Sequence, residues 1–342
     1  MSILKKVLKC ALFITGLAVI LVISGPVFMP KNNMKESGIE DFQTNGIRSE
    51  KKNTIDVLVL GDSLSYAGIS PILLYKDYGI TSYVCGSSGQ QMFDTYRYLK
   101  IAFENQKPKY VILETDALYR KFDMAESIGS EVQGMLPVFR YHDRWKNLEL
   151  KDFKGQAKYT AVNDHKGYRY NDTIKGIPNK QYMIETTEIQ DMTDLSKSYF
   201  DQIAKFCKKN GAELILVSIP SVKNCNYKKH NAIQKLADKY DVEFINLNLM
   251  PEEVPIDWEV DTRDKGDHLN HTGATKVTSY LGKYLSENKD LKDRRLEEKY
   301  NHWNKSLDEY LKTIETAKKK FNIFINRSNR HINNMCLLLL FV

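Results

Sequence analysis

Five short apolar runs, at residues 55–60, 82–85, 110–113, 213–219 and 242–246, restrict this chain more than any other feature. They are too short for buried helices and rich in aliphatic and β-branched residues, so they read as strands covered on both faces. Stretches with helical spacing separate them, predicted at 69–78, 91–105, 196–209, 230–240 and 272–287. Pro71 suits a first turn. Phe93, Tyr96, Leu99 and Phe103 recur on one side of the second helix, and Asn210-Gly211 is a fitting helix stop. Strands joined through helices run parallel, by right-handed crossovers. The pattern therefore predicts an α/β fold: a three-layer α/β/α sandwich with a mostly parallel five-stranded sheet. A chain of 342 residues, 42% hydrophobic, can bury such a core and still carry attachments.

The first run, Val57-Leu58-Val59-Leu60, stops at Gly61-Asp62-Ser63. Ser63 then sits just past the carboxyl end of a strand, the edge where ligands bind in open α/β sheets. A serine alone is a poor nucleophile and needs a base. The candidate base lies far along the chain, in Asp264-Lys265-Gly266-Asp267-His268-Leu269-Asn270-His271-Thr272-Gly273. Gly-Asp-Ser by itself is an ordinary turn. Its pairing with His-Leu-Asn-x-x-Gly after the last strand, in that order, is what points to chemistry. His271 has already entered the helix opened by Asn270 or Thr272 and reads as a helix-start residue.

Gly61-Asp62-Ser63-Leu64 and the block from Asp264 through His268-Leu269-Asn270 to Gly273 resemble the first and last signature blocks of the SGNH (GDSL-like) hydrolase superfamily. The resemblance implies a flavodoxin-like fold, Ser63 as nucleophile, His268 as base and an aspartate orienting the imidazole. The family places that aspartate three residues before the histidine, where this chain has Lys265, so Asp264 and Asp267 both stand as candidates. Asp264 is favoured, because one inserted residue is a smaller change than moving the carboxylate beside the imidazole it must face. In Tyr83-Val84-Cys85-Gly86-Ser87-Ser88-Gly89-Gln90, Gly89 matches the glycine whose N–H joins that of Ser63 in the oxyanion hole. After the third strand the family has an asparagine donor, whereas this chain has Leu113-Glu114-Thr115-Asp116. Thr115 is the remaining donor there, and its acidic neighbour opposes an oxyanion. The chain shares that departure with subfamilies acting on cell-surface polymers. The implied chemistry is acyl transfer through an acyl-serine, which requires no metal or cofactor.

Lys5, Lys6 and Lys9 precede an uncharged stretch from Cys10 to Met29. Twenty such residues in a helix span about 30 Å, the thickness of a hydrocarbon core. Residues 1–30 are expected to be a cytoplasmic stub and single transmembrane anchor, leaving the rest extracytoplasmic by the positive-inside rule. A cleaved signal is the alternative, but no small-x-small site ends the run. The polar stretch 31–53 reads as a linker, 54–288 as the catalytic domain, and 119–193 as a cap inserted at the sheet's carboxyl edge. Residues 289–342 read as an amphipathic outer helix, with Leu296, Trp303, Leu307 and Leu311, followed by an apolar tail at 336–342.

Within the cap, Arg140, His142, Arg144 and Trp145 are expected to bind substrate, the aromatics lining a groove for sugar rings and the basic groups meeting anions. The plainer reading is a loop packed by its own aromatics. Five cysteines without a C-x-x-C spacing argue against a disulfide framework and structural zinc. A net charge of +7, not gathered into one stripe, fits work near an anionic membrane or wall polymer, and no nucleic-acid-binding motif is present.

An exported domain of this kind on one anchor resembles proteins that work beside membrane-bound O-acyltransferases. In outline it is similar to the lipoteichoic acid D-alanylation family. The implied function is O-acylation, chiefly acetylation, of a surface polysaccharide or wall polymer, with a membrane-bound O-acyltransferase as partner. A surface esterase and a non-catalytic glycan-binding scaffold are the alternatives.

Overall fold

The computed structural model describes residues 3–319. Five strands, β1 (Val57–Gly61), β2 (Ser82–Gly86), β3 (Tyr110–Glu114), β4 (Glu213–Ser218) and β5 (Glu243–Asn246), form one sheet in the order β2-β1-β3-β4-β5. Every pairing is parallel, with Gly61 opposite Gly86 and Leu60 opposite Leu113. Along the strands, side chains alternate between two cores. Leu58, Leu60, Val111, Leu113, Leu214 and Leu216 face one, while Val57, Val59, Ile112, Ile215 and Val217 face the other.

Among the described residues, the layers and attachments are carried by α1 (Ile3–Phe28), α2 (Ser63–Gly68), α3 (Pro71–Tyr78), α4 (Met92–Asn105), α5 (Met124–Met135), α6 (Pro137–Arg140), α7 (Asp194–Lys209), α8 (Tyr227–Tyr240) and α9 (His271–Asn288), with an outer helix from 301 onward. α4, α7 and α8 contribute to the first core and α2 and α9 to the second. This is the expected α/β/α sandwich. Its strand order reverses between β1 and β3, so their carboxyl ends open the crevice where such sheets bind ligands.

α1 is long and apolar enough to cross a membrane, with a mean hydropathy of 2.5 over a window that buries nothing. The linker expected at 31–53 is folded instead. Ile47 is buried, the Thr44 hydroxyl donates to the Gly86 carbonyl, and Glu50 pairs with Lys166 at 2.8 Å in the interior. The reason is the exposed edge of β2, whose open amides and carbonyls need cover. Lys166 supplies more of it, its carbonyl accepting from Val84 N–H at 2.9 Å.

The expected insertion at 119–193 has two parts. α5, α6 and the turns up to 153 gather around the end of α1. The later part is a strap along the carboxyl rim. Its backbone bonds link Arg169 to Tyr66, Asn171 to His271, Lys175 to Thr262 and Lys265, and Ile177 to Trp258.

The outer helix begins at 301, not near 289, because Arg294 fastens the preceding segment to Asp56 through two hydrogen bonds of 2.8 and 2.9 Å. Trp303 and Tyr310 are its buried aromatics, with Tyr300 buried in the turn just before it, while Leu296 is 97% exposed. The apolar tail at 336–342 lies outside the described residues.

Candidate active site

β1 delivers Ser63 through a sharp turn. Gly61 has φ of +148°, and a Cβ there would lie 2.6 Å from the Glu114 Cβ, so only glycine fits. Asp62 then caps α2, its carboxylate accepting from Leu64 N–H at 3.0 Å, and Ser63 is the first residue of that helix. The Ser63 Oγ lies 2.7 Å from His268 Nε2. Two residues separated by most of the fold thus meet at the crevice.

The loop before α9 explains how the imidazole is held. Lys265 and Gly266 both adopt left-handed backbone, with φ of +65° and +80°, and fold the loop back on itself. Asp264 thereby faces the histidine four residues later. Its Oδ1 accepts from His268 N–H at 2.7 Å and its Oδ2 sits 2.6 Å from Nδ1. With Nδ1–H donating to Asp264, Nε2 is left to accept from the Ser63 hydroxyl, the tautomer that base chemistry needs. Asp267 stands off at 3.6 Å from Nδ1 and accepts instead from Asn224 Nδ2 at 2.7 Å. Of the two aspartates left open by the sequence, the structure puts Asp264 on the ring.

In the loop after β2, Gly89 has φ of +64° and open space where a Cβ would stand. Gln90 staples this loop: its Oε1 accepts from the Ser87 amide and hydroxyl, while its Nε2 donates to Cys85 O and Thr95 Oγ1. Ser63 N–H belongs to the helix start, where amides lack an intrahelical acceptor.

Thr115 is placed differently from its expected role as a donor. Its Oγ1 lies 2.5 Å from Ser218 Oγ, tying the ends of β3 and β4 together, and the residue is 3% exposed. Hydroxyls emerging side by side from adjacent parallel strands satisfy each other.

The acidic neighbour is neutralised. Arg120 donates to both Asp62 and Asp116, and Lys229 reaches Asp116 at 3.2 Å. Burial, reinforced by Asp116 and opposed by Arg120, pushes the Asp62 carboxyl up to about 6. Burial also holds Glu114 well above the usual carboxylate range, with Asp62 and Asp116 adding repulsion. Arg120 thus faces Asp62 and Asp116 together, and Lys229 brings a second cation to Asp116. The Asp116-x-x-x-Arg120 spacing was visible in the chain, but the partner Asp62, from a different strand end, was not.

Arg140, His142, Arg144 and Trp145 are not brought to this rim. Arg140 pairs with Glu40 at 2.6 Å, and Arg144 donates to the carbonyls of Val27, Phe28 and Met29 and to Asp152. His142 bonds locally to the Phe139 carbonyl, and Trp145 is 63% exposed. For Arg144 the cause is the end of α1, whose last carbonyls lack intrahelical donors and attract a guanidinium.

His271 opens α9, 3.3 Å from the Tyr168 hydroxyl and against the Tyr170 ring, and burial lowers its pKa. Among the described residues, Asp264, Asp267 and His268 are the acidic and imidazole groups close enough to share a metal. In the observed arrangement both ring nitrogens are already engaged by Ser63 and Asp264.

No family model matches the chain, and no curated protein matches its sequence. Among solved structures it is similar to a psychrotrophic esterase from a Pseudoalteromonas species (13% identity, TM-score 0.38, covering 68% of this chain and 96% of that one). It is also similar to a GDSL-like lipase from Bacteroides thetaiotaomicron (14%, TM-score 0.34, 68% and 87%) and a lipase/acylhydrolase from Enterococcus faecalis (11%, TM-score 0.34, 68% and 96%). These are distant likenesses, and the functional reading rests on the site itself.

Proposed function

We propose that this chain is an SGNH-type serine enzyme performing acyl transfer through an acyl-serine, anchored in the cell membrane by α1 with its catalytic domain outside. The observation that supports it most is the relay of 2.7 Å from Ser63 Oγ to His268 Nε2 and 2.6 Å from Nδ1 to Asp264. His268 takes the Ser63 proton as Oγ attacks an ester carbonyl, and Asp264 stabilises the imidazolium. The Ser63 and Gly89 amides receive the oxyanion, each such donor lowering the barrier by roughly 3–4 kcal/mol. His268 then protonates the leaving alcohol. In the second half, an acceptor hydroxyl gives its proton to His268 and attacks the acyl carbon, and His268 returns that proton to Ser63 Oγ as the acyl–serine bond breaks.

The acceptor we favour is a sugar hydroxyl of a surface polysaccharide or wall polymer, O-acetylation being the leading case, with a membrane-bound O-acyltransferase supplying the acyl group. A membrane-length helix joined to the catalytic domain supports this choice. The second reading is a surface esterase with water as acceptor, favoured by the 38% exposure of the Asp264 side chain, which leaves the relay open to solvent. The deciding experiment traps the acyl-enzyme at Ser63 and offers it water and an envelope glycan together. Transfer to glycan supports the first reading, release of free acid alone the second. Absence of any acyl-serine, or of labelling by a fluorophosphonate, overturns both.

A further inference from the structure

The segment that grips the end of α1 also carries an exposed apolar face. Gly25 of α1 is buried with Pro137 at 3.3 Å from where its Cβ would be, and Arg144 donates to carbonyls at 27–29. Lys31 Nζ bridges the carbonyls of Pro26 and Gly155. Residues 137–155 thus wrap the helix where it leaves its apolar span.

From this wrap Met135, Phe139, Trp145, Leu150 and Phe153 stand 44–88% exposed. Fully burying a side chain of this kind contributes about 1.5–3 kcal/mol, so five left in water within one short stretch mark a contact surface. Lys146, Lys151 and Lys154 are interspersed with them, the first two beside Asp143 and Glu149 on the exposed surface. Aromatic and aliphatic side chains mixed with lysines at a helix exit are the composition that settles at the headgroup boundary.

We infer that residues 135–154 are a seat in the bilayer interface, occupied by the headgroup and upper acyl layer of the membrane that α1 crosses. The inference rests on the anchoring proposed above. Its geometry follows from the bonds to 27–29: if the span ends there, whatever is hydrogen-bonded to those carbonyls lies at the headgroup level. The domain is then held at two places, the span and the seat. Because the same insertion continues into the strap over the His268 loop, the seat also sets the height and tilt of Ser63 above the membrane.

The chain has three tryptophans, and Trp258 and Trp303 are buried at 6% and 0% exposure, so Trp145 is the one that can meet lipid. The full chain is reconstituted in phosphatidylcholine–phosphatidylglycerol vesicles, with or without acyl chains brominated near the headgroup. The seat predicts that bromine quenches the Trp145 emission by about twofold or more, as expected for an indole at the headgroup boundary. Trp145→Phe abolishes this response, and a Leu150→Asp/Phe153→Asp chain weakens it while still hydrolysing a soluble ester normally. Emission indifferent to bromine, in a chain that floats with the vesicles, overturns the seat and leaves the anchor standing. A chain that does not float with them overturns both. Should the double variant misfold, the quenching in the unaltered chain alone decides.

Discussion

Arg120 and Arg144 belong to one insertion and do unlike work. Arg120 sits at the crevice between two buried carboxylates and makes a dense acidic site compatible with a nucleophile. Arg144, at the far end, binds no substrate-facing group and closes the open carbonyls of α1. Both are arginines in polar, aromatic-rich surroundings, and nothing local separates them. The acceptors that the fold leaves unsatisfied decide the role: carboxylates stripped of water at the rim, peptide carbonyls at the helix exit. The rim is thus organised by charge compensation, the anchor end by backbone capping and apolar exposure.

The contrast is easiest to break at the rim. Ser63→Ala is expected to lower turnover of a small acyl ester by about 10⁴-fold or more, with the melting temperature unchanged. Residual turnover near the unaltered rate would remove Ser63 from the chemistry. Next in size, Asp264→Asn should cost about 10³–10⁴-fold by spoiling the imidazole tautomer, and Asp267→Asn no more than about threefold. Comparable losses in the two variants would break the assignment of the orienting carboxylate.

The arginines themselves sharpen the comparison. Arg120→Gln leaves Asp62 and Asp116 without their shared cation, and should cost about 3 kcal/mol of stability in urea titration along with roughly tenfold or more in turnover. Arg144→Gln should leave hydrolysis of a soluble ester within about twofold, since its partners are carbonyls at 27–29 and Asp152. A large kinetic effect of Arg144→Gln would merge the two regions into one site.

The smallest effect concerns pH. The native Asp62 carboxyl keeps its proton up to about 6, above its ordinary value of 3.8, so folding takes up a proton between those values. The stability this group contributes is fully present below about pH 4 and is lost as pH rises through 6, by at most about 3 kcal/mol. Asp62→Asn should flatten that part of the stability profile. An unchanged slope in the variant would show that Asp62 titrates normally.

Much of the sheet could be read from the chain because a parallel strand buried on both faces announces itself locally. The edges of β1 to β5 fall within two residues of the apolar runs. Ser63 and His268 were legible because the blocks that carry them resemble signature blocks of a known family, and Ser63 also opens α2. The choice between Asp264 and Asp267 was not, since it turns on left-handed backbone at Lys265, a residue that gives no hint of it. Thr115 could not be placed either, because its partner Ser218 comes from a strand that is adjacent only in the folded sheet.

By itself, the order of residues determined the alternating architecture, the serine at the first strand's end, the histidine after the last strand and a membrane-length helix at the start. These are properties of short windows, set by side-chain periodicity and backbone preference. Tertiary structure alone decided which aspartate meets the imidazole, how the acidic residues after β3 are neutralised, that Arg144 serves the end of α1 and that Arg140 pairs with Glu40. Those outcomes depend on which unsatisfied polar groups are brought within hydrogen-bonding distance, and such distances exist only once the chain has closed on itself.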